Sequence, residues 1–268
     1  MDNPILRREL KTALRSPLML ALTALYLLVL SGIIWAMWPS EGIFSLAAQA
    51  SRSILMVVTV TQLLLVILYA PAFAATAITS EKERNTYELL FASRLRPRQI
   101  VVGKLLSSIV CLVILVALSF PIFASCFFLG AVSARETGVI YLVTIASSIF
   151  FGLLGLCVSA VVASSHTALI VTYLGILVMT AGPWVPTLIF PNQPEAAAMT
   201  LSIRSLSPLA AVASVVAPTF ENLNVAGEAV LPPAWRVYLI FAGTSAVLMI
   251  LFLLASVYLF VGRRPRPH

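Results

Sequence analysis

The chain has 268 residues, 60% of them hydrophobic and only 10% charged, with a formal net charge of +7. Soluble domains carry roughly a quarter charged residues, so 17 Lys and Arg with 10 Asp and Glu are too few to cover a water-facing surface. This excludes disorder, and the cysteines at 111, 126 and 157, unpaired in spacing and set in apolar runs, exclude a disulfide scaffold. The excess apolar surface faces a bilayer.

In chain order, residues 3–16 read as a short interfacial helix. Asn3 suits the N-cap and Pro4 the first helical position. Leu6, Leu10, Ala13 and Leu14 share one face, with Arg7, Arg8, Lys11 and Arg15 opposite, so the helix lies in the headgroup region, as a topology anchor or in a more specific role. Residues 18–38 form the first span. The run exceeds a signal-peptide core of roughly 7–15 residues and ends in Met37-Trp38-Pro39 without a small-x-small pattern, so it stays in place. The second span covers 54–79. Gln62, flanked by Thr59 and Thr61, is its strongest polar residue; an interhelical hydrogen bond is the leading expectation and a transport path the alternative. Pro71 kinks this span, either as a static bend or as a hinge.

Residues 80–97 connect spans two and three. Ser80 and Glu83 have capping-box spacing, which predicts a helix starting at Ser80 with Glu81 and Glu83 near its positive end. Tyr87, Leu90 and Phe91 share a face, and Glu81, Arg84 and Glu88 share another. Pro97 breaks the segment before span three. The pattern suits a docking helix or a solvated loop helix equally. Spans three, four and five are expected at 105–132, 137–163 and 167–190, and span six at 237–261. No Lys, Arg, Asp or Glu falls within any of the six. Pro121 interrupts span three, and Pro183 and Pro186 break the end of span five. Ser148, Gly152, Gly155, Ser159 and Ala163 make a small-residue groove on span four, suited first to packing within the subunit. Residues 191–236 are an external segment, proline-rich but holding an apolar run at 206–216. The fold class is therefore an all-α integral membrane protein with six transmembrane helices.

Thirteen of the 17 basic residues lie in the first fifteen residues, at 82–104 and after 262, and this bias places both termini and the central connection in the cytoplasm. It reads as topology and attraction to anionic lipid rather than as a nucleic-acid groove. No phosphate loop is present: Gly103-Lys104 is followed by Leu105, and Arg98 occupies the first glycine position. No catalytic constellation or metal-ligand spacing appears, and His166 reads as a loop histidine. Charge-free spans argue against proton or sodium coupling.

Glu81, Glu83, Thr86, Glu88, Leu89 and Leu90, followed by Ile100 and Gly103-Lys104, together resemble the central cytoplasmic signature of ABC transporter permeases of the type-2 exporter class, with Asn85 where that family usually has Gly. The resemblance extends over the whole chain and implies one permease domain, residues 1–268. It makes 80–97 the coupling helix, with Glu81, Glu83, Arg84, Thr86, Tyr87 and Glu88 toward an ATPase, and 3–16 the connecting helix. It further implies two ATPase subunits that hold ATP and Mg, no cofactor in this chain, and a second permease, identical or related. A bacterial inner membrane and external re-entrant helices within 191–236 also follow. From the residues alone, a passive channel or ion-driven carrier, or a membrane scaffold or sensor, stays open.

Overall fold

The computed structural model describes residues 15–38, 44–83, 97–128, 133–189, 200, 202–216 and 234–262. Among these the structure is helical, with no strand. The helices are α1 (Pro17–Met37), α2 (Phe44–Ala74), α3 (Thr76–Glu83), α4 (Pro97–Leu118), α5 (Phe120–Phe128), α6 (Ala134–Val161), α7 (Ser165–Ala181), α8 (Val185–Ile189), α9 (Pro208–Val216) and α10 (Ala234–Gly262). Six candidate spans result: Met19–Met37, Ser53–Glu83, Val102–Ser125, Ala134–Val161, Ser165–Ile189 and Leu239–Leu259.

Local chemistry sets the boundaries. Ser16 caps α1 by accepting the Met19 N–H at 3.1 Å, and Pro17 follows at the first helical position. Pro97 likewise begins α4, eight residues ahead of the expected start of span three at 105. Span three breaks at Ser119, whose carbonyl receives the N–H groups of Ile122 and Phe123, and resumes through Pro121 as α5. After α7, a 3₁₀ turn over Gly182–Trp184 carries Pro183 and leads into α8.

Two expectations need correction. The helix at Ser80 does not start there: α3 already runs from Thr76, so Ser80 is internal and its capping box is not formed. The capping box that does form is Ser133 with Glu136, which starts α6 three residues before the expected 137. Ser133 Oγ accepts the Glu136 N–H at 3.2 Å, and Glu136 Oε2 accepts the Ser133 N–H at 2.9 Å. The helices thus run past the expected span limits and take charged residues at their ends: Glu81, Lys82 and Glu83, Lys104, and Arg135 and Glu136.

The bundle is built around α6. It packs against α10, α2, α4, α7, α9 and α3, and 67% of its most apolar window is buried, against 22% for α1 and α7 and 17% for α10. Small side chains permit this: Ser147, Ser148, Gly152, Gly155 and Ser159 are all buried. Gly155 is the position of closest approach, since a Cβ there would lie 3.1 Å from the backbone N of Ala75 and 3.4 Å from Ala74 Cβ. Gly152 has no atom within 4 Å of such a Cβ, and Ala163 falls beyond the helix and is exposed. The groove therefore serves packing within the chain and is centred on Gly155. The outer helices turn Leu20, Leu28, Trp35, Leu177 and Leu254 outward, as lipid contact requires.

The apolar run in the segment after span five does not lie loose on the surface. As α9 it packs against α10, α6 and α2, with Ala211 and Val212 fully buried in the main core. Its entry is fixed to the end of α7: Ser207 Oγ donates to Thr180 O at 2.9 Å, Trp184 Nε1 donates to Ser207 Oγ at 3.3 Å, and the Arg204 guanidinium sits 5.3 Å from the Trp184 ring centroid.

Candidate functional site

Among the described residues, a dense polar assembly lies where α3 meets the ends of α4, α6 and α7. Here α2 passes into α3 through a break at Ala75, four residues beyond Pro71. Pro71 itself is buried inside α2, and the Ala75 N–H still reaches its carbonyl at 2.8 Å. A helix start leaves N–H groups without intrahelical acceptors. At α3 a neighbouring span supplies the acceptor, since Ser159 Oγ of α6 takes the N–H groups of both Ile78 and Thr79 at 3.1 Å. Thr79 Oγ1 in turn donates to Ala75 O at 3.1 Å. Sequence spacing gave no sign of this cap, because Ser159 lies about 80 residues further along the chain.

The last turn of α3 then caps two other helices. Lys82 Nζ donates to Ser159 O at 2.9 Å, Ala160 O at 3.0 Å and Val162 O at 2.8 Å, which places a cation on the negative end of α6. Ser164 is the N-cap residue of α7 but makes no side-chain cap. Glu83 does so instead: its carboxylate accepts the Ser165 N–H at 2.6 Å and the Ser165 hydroxyl at 2.8 Å. An anion thus occupies the positive end of α7 while a cation occupies the negative end of α6. On the other side of α3, Glu81 Oε1 lies 3.4 Å from Lys104 Nζ of α4, and that lysine side chain is only 3% exposed.

The sequence-singled residues divide as follows. Glu81 and Glu83 are both committed to contacts within the chain. Arg84, Thr86, Tyr87 and Glu88 lie outside the described residues, as do Arg7, Arg8 and Lys11, while Arg15 is exposed just before the Ser16 cap. Sequence reading did not single out Lys82 or Ser165, and it named Ser159 only as part of the small-residue groove and Lys104 only within the cytoplasmic signature; these four complete the assembly. A lysine one turn from a helix end was the available signal for Lys82, but its targets are distant in sequence.

Deep within the spans the outcome for Gln62 differs from expectation. It is fully buried in α2, yet neither amide atom has a hydrogen-bond partner among the described residues, so the expected interhelical bond is not made there. Thr59 Oγ1, Tyr26 OH and Tyr69 OH are buried in the same condition. The Ser119 and Tyr141 hydroxyls do pair, at 3.0 Å.

Comparison with known proteins adds the family. No curated protein matches the chain. The family model described as "ABC-2 family transporter protein" matches residues 3–262. That match spans all six helices and the segment between α3 and α4, and such a membrane component implies an ABC-type ATPase partner in general. The chain belongs to the ABC-2 family of transporter membrane proteins.

Proposed function

We propose that this chain is the permease subunit of an ATP-binding-cassette exporter, moving substrate across a bacterial inner membrane with ATP hydrolysed by a separate subunit. The observation that carries the reading is the family match from 3 to 262, which includes the Glu-x-Glu-x-x-Thr-x-Glu-Leu-Leu segment. Two permease chains, identical or related, would enclose the path, with two ATPase subunits beneath holding ATP and Mg. Residues 80–97 would carry the coupling contact, and α9 with its flanks would re-enter from the outer side. Closure of the ATPase pair moves the coupling segment, and the spans switch access.

Docking is tested where it can be separated from folding. Reversing Glu81 or Glu83 would break bonds within the chain, so the informative changes are Tyr87→Ala and Glu88→Lys, beyond α3. An interfacial charge left unpaired by loss of its partner costs about 2–5 kcal/mol, a tens- to thousands-fold loss of affinity. The two changes together are expected to remove the ATPase from the affinity-purified chain without altering the chain's gel-filtration profile. Undiminished recovery of the ATPase would contradict this contact.

Orientation is tested at two exposed positions, Arg135 in the first turn of α6 and His166 in the first turn of α7, which follows the other end of α6. In a background without the native cysteines, Arg135→Cys is expected to react with an impermeant maleimide in intact cells. His166→Cys is expected to react only after lysis. The reverse pattern would turn the protein over in the membrane.

A further inference from the structure

Three helix ends meet at α3, and each is closed by a group from another helix. Ser159 of α6 takes two N–H groups of α3, Lys82 of α3 takes three carbonyls at the end of α6, and Glu83 of α3 takes the N–H and hydroxyl of Ser165 at the start of α7. Separating α3 from these partners would strip the capped backbone groups of their protein partners, the Ile78 and Thr79 N–H groups in the buried interior among them. The nearby break at Ala75 is held as well, because α6 approaches it closely at Gly155, where a Cβ would lie 3.1 Å from the Ala75 backbone nitrogen. Pro71 and Ala75 therefore do not give α3 freedom to swing on its own.

We infer that α3, α6 and α7 form one rigid body, with Lys82 as its positioning residue, so that displacement of the residues after Glu83 is delivered to spans four and five. Of the bundle's helices, α6 is the most buried and touches α2, α4, α9 and α10, so movement entering there reaches the centre directly. The Lys82 ammonium does this by holding three carbonyls in a fixed fan, and Ser159 by fixing the start of α3. This rests on the proposed coupling to an ATPase and names the spans that receive its motion.

The test uses the full chain co-purified with its ATPase in lipid nanodiscs, native cysteines replaced, with nitroxide pairs at 80/177 and 20/177. Leu20 on α1 and Leu177 on α7 are both exposed. Distances are measured by pulsed electron paramagnetic resonance without nucleotide and with ATP and vanadate. The 20/177 distance is expected to change by about 2 Å or more, the scale of helix shifts in switching proteins. The 80/177 distance is expected to stay constant. With Lys82→Met, which keeps the aliphatic stem, 80/177 becomes nucleotide-dependent and the 20/177 change falls by half or more. Ser159→Ala acts in the same direction and serves if Lys82→Met does not fold.

A nucleotide-dependent 80/177 distance in the otherwise unaltered complex overturns the inference, as does an unchanging 20/177 distance. Variants that behave like the parent overturn the role of Lys82 and Ser159. Failure of the coupling reading shows itself earlier and separately: no ATPase accompanies the chain, and the inference falls with it.

Discussion

Replacing Gly155 with leucine is expected to destabilise the protein by about 3 kcal/mol, the upper end of the usual cost of overpacking. The obstacle is backbone, the Ala75 nitrogen 3.1 Å from the Cβ position, in a region where α2 is already pinned to α6. A flexible side chain can move aside, whereas the backbone between α2 and α3 moves only if the Ser159 cap opens. Gly152→Ala is the matching control. Nothing lies within 4 Å of its Cβ position, and alanine is favoured over glycine in a helix interior by about 1 kcal/mol, so this variant is expected to be neutral or more stable. Thermal loss of the monodisperse peak in detergent ranks the two. Equal midpoints would show that the α2–α6 contact is looser than the geometry requires.

The second large effect is expected at Glu81 and Lys104. Lys104 is nearly fully buried, while Glu81 keeps 27% side-chain exposure. Breaking a buried pair by removing one member typically costs about 3–5 kcal/mol; because Glu81 is partly exposed and the contact is long, at 3.4 Å, Glu81→Gln is expected to cost at most about 3 kcal/mol. Glu81→Gln combined with Lys104→Met removes both charges and keeps the aliphatic stem, so the double variant is expected to be more stable than Glu81→Gln alone. A double-mutant cycle on thermal midpoints measures the difference. A double variant worse than either single change would mean that the two residues stabilise the fold separately.

The sequence carried the spans because bilayer thickness demands long apolar runs and prolines punctuate them. Pro17, Pro97, Pro121 and Pro183 each sit within a residue or two of an observed boundary or break. Capping boxes were less decisive. Ser80–Glu83 and Ser133–Glu136 have the same spacing, yet only the second forms, because the helix containing Ser80 has already begun at Thr76. The glutamate at 83 finds its N–H partner on α7 instead. Gln62 shows the same limit: polarity identified it, but whether a partner stands opposite depends on packing. The assembly at α3 was half legible. Glu81 and Glu83 stood out through their motif, whereas Lys82 and Ser159 are joined across 77 positions by packing that no local pattern reports.

The role in ATP-driven transport is tested most directly by ATP turnover in three preparations: the purified chain alone, its complex with the co-purifying ATPase, and the same complex with the ATPase's catalytic carboxylate removed. The chain carries no phosphate loop, since Arg98 and Leu105 stand where glycine and Ser or Thr would be needed. The account predicts ATP hydrolysis only in the second preparation. Hydrolysis by the chain alone, or recovery of the chain from its native membrane with no ATPase attached, would contradict it.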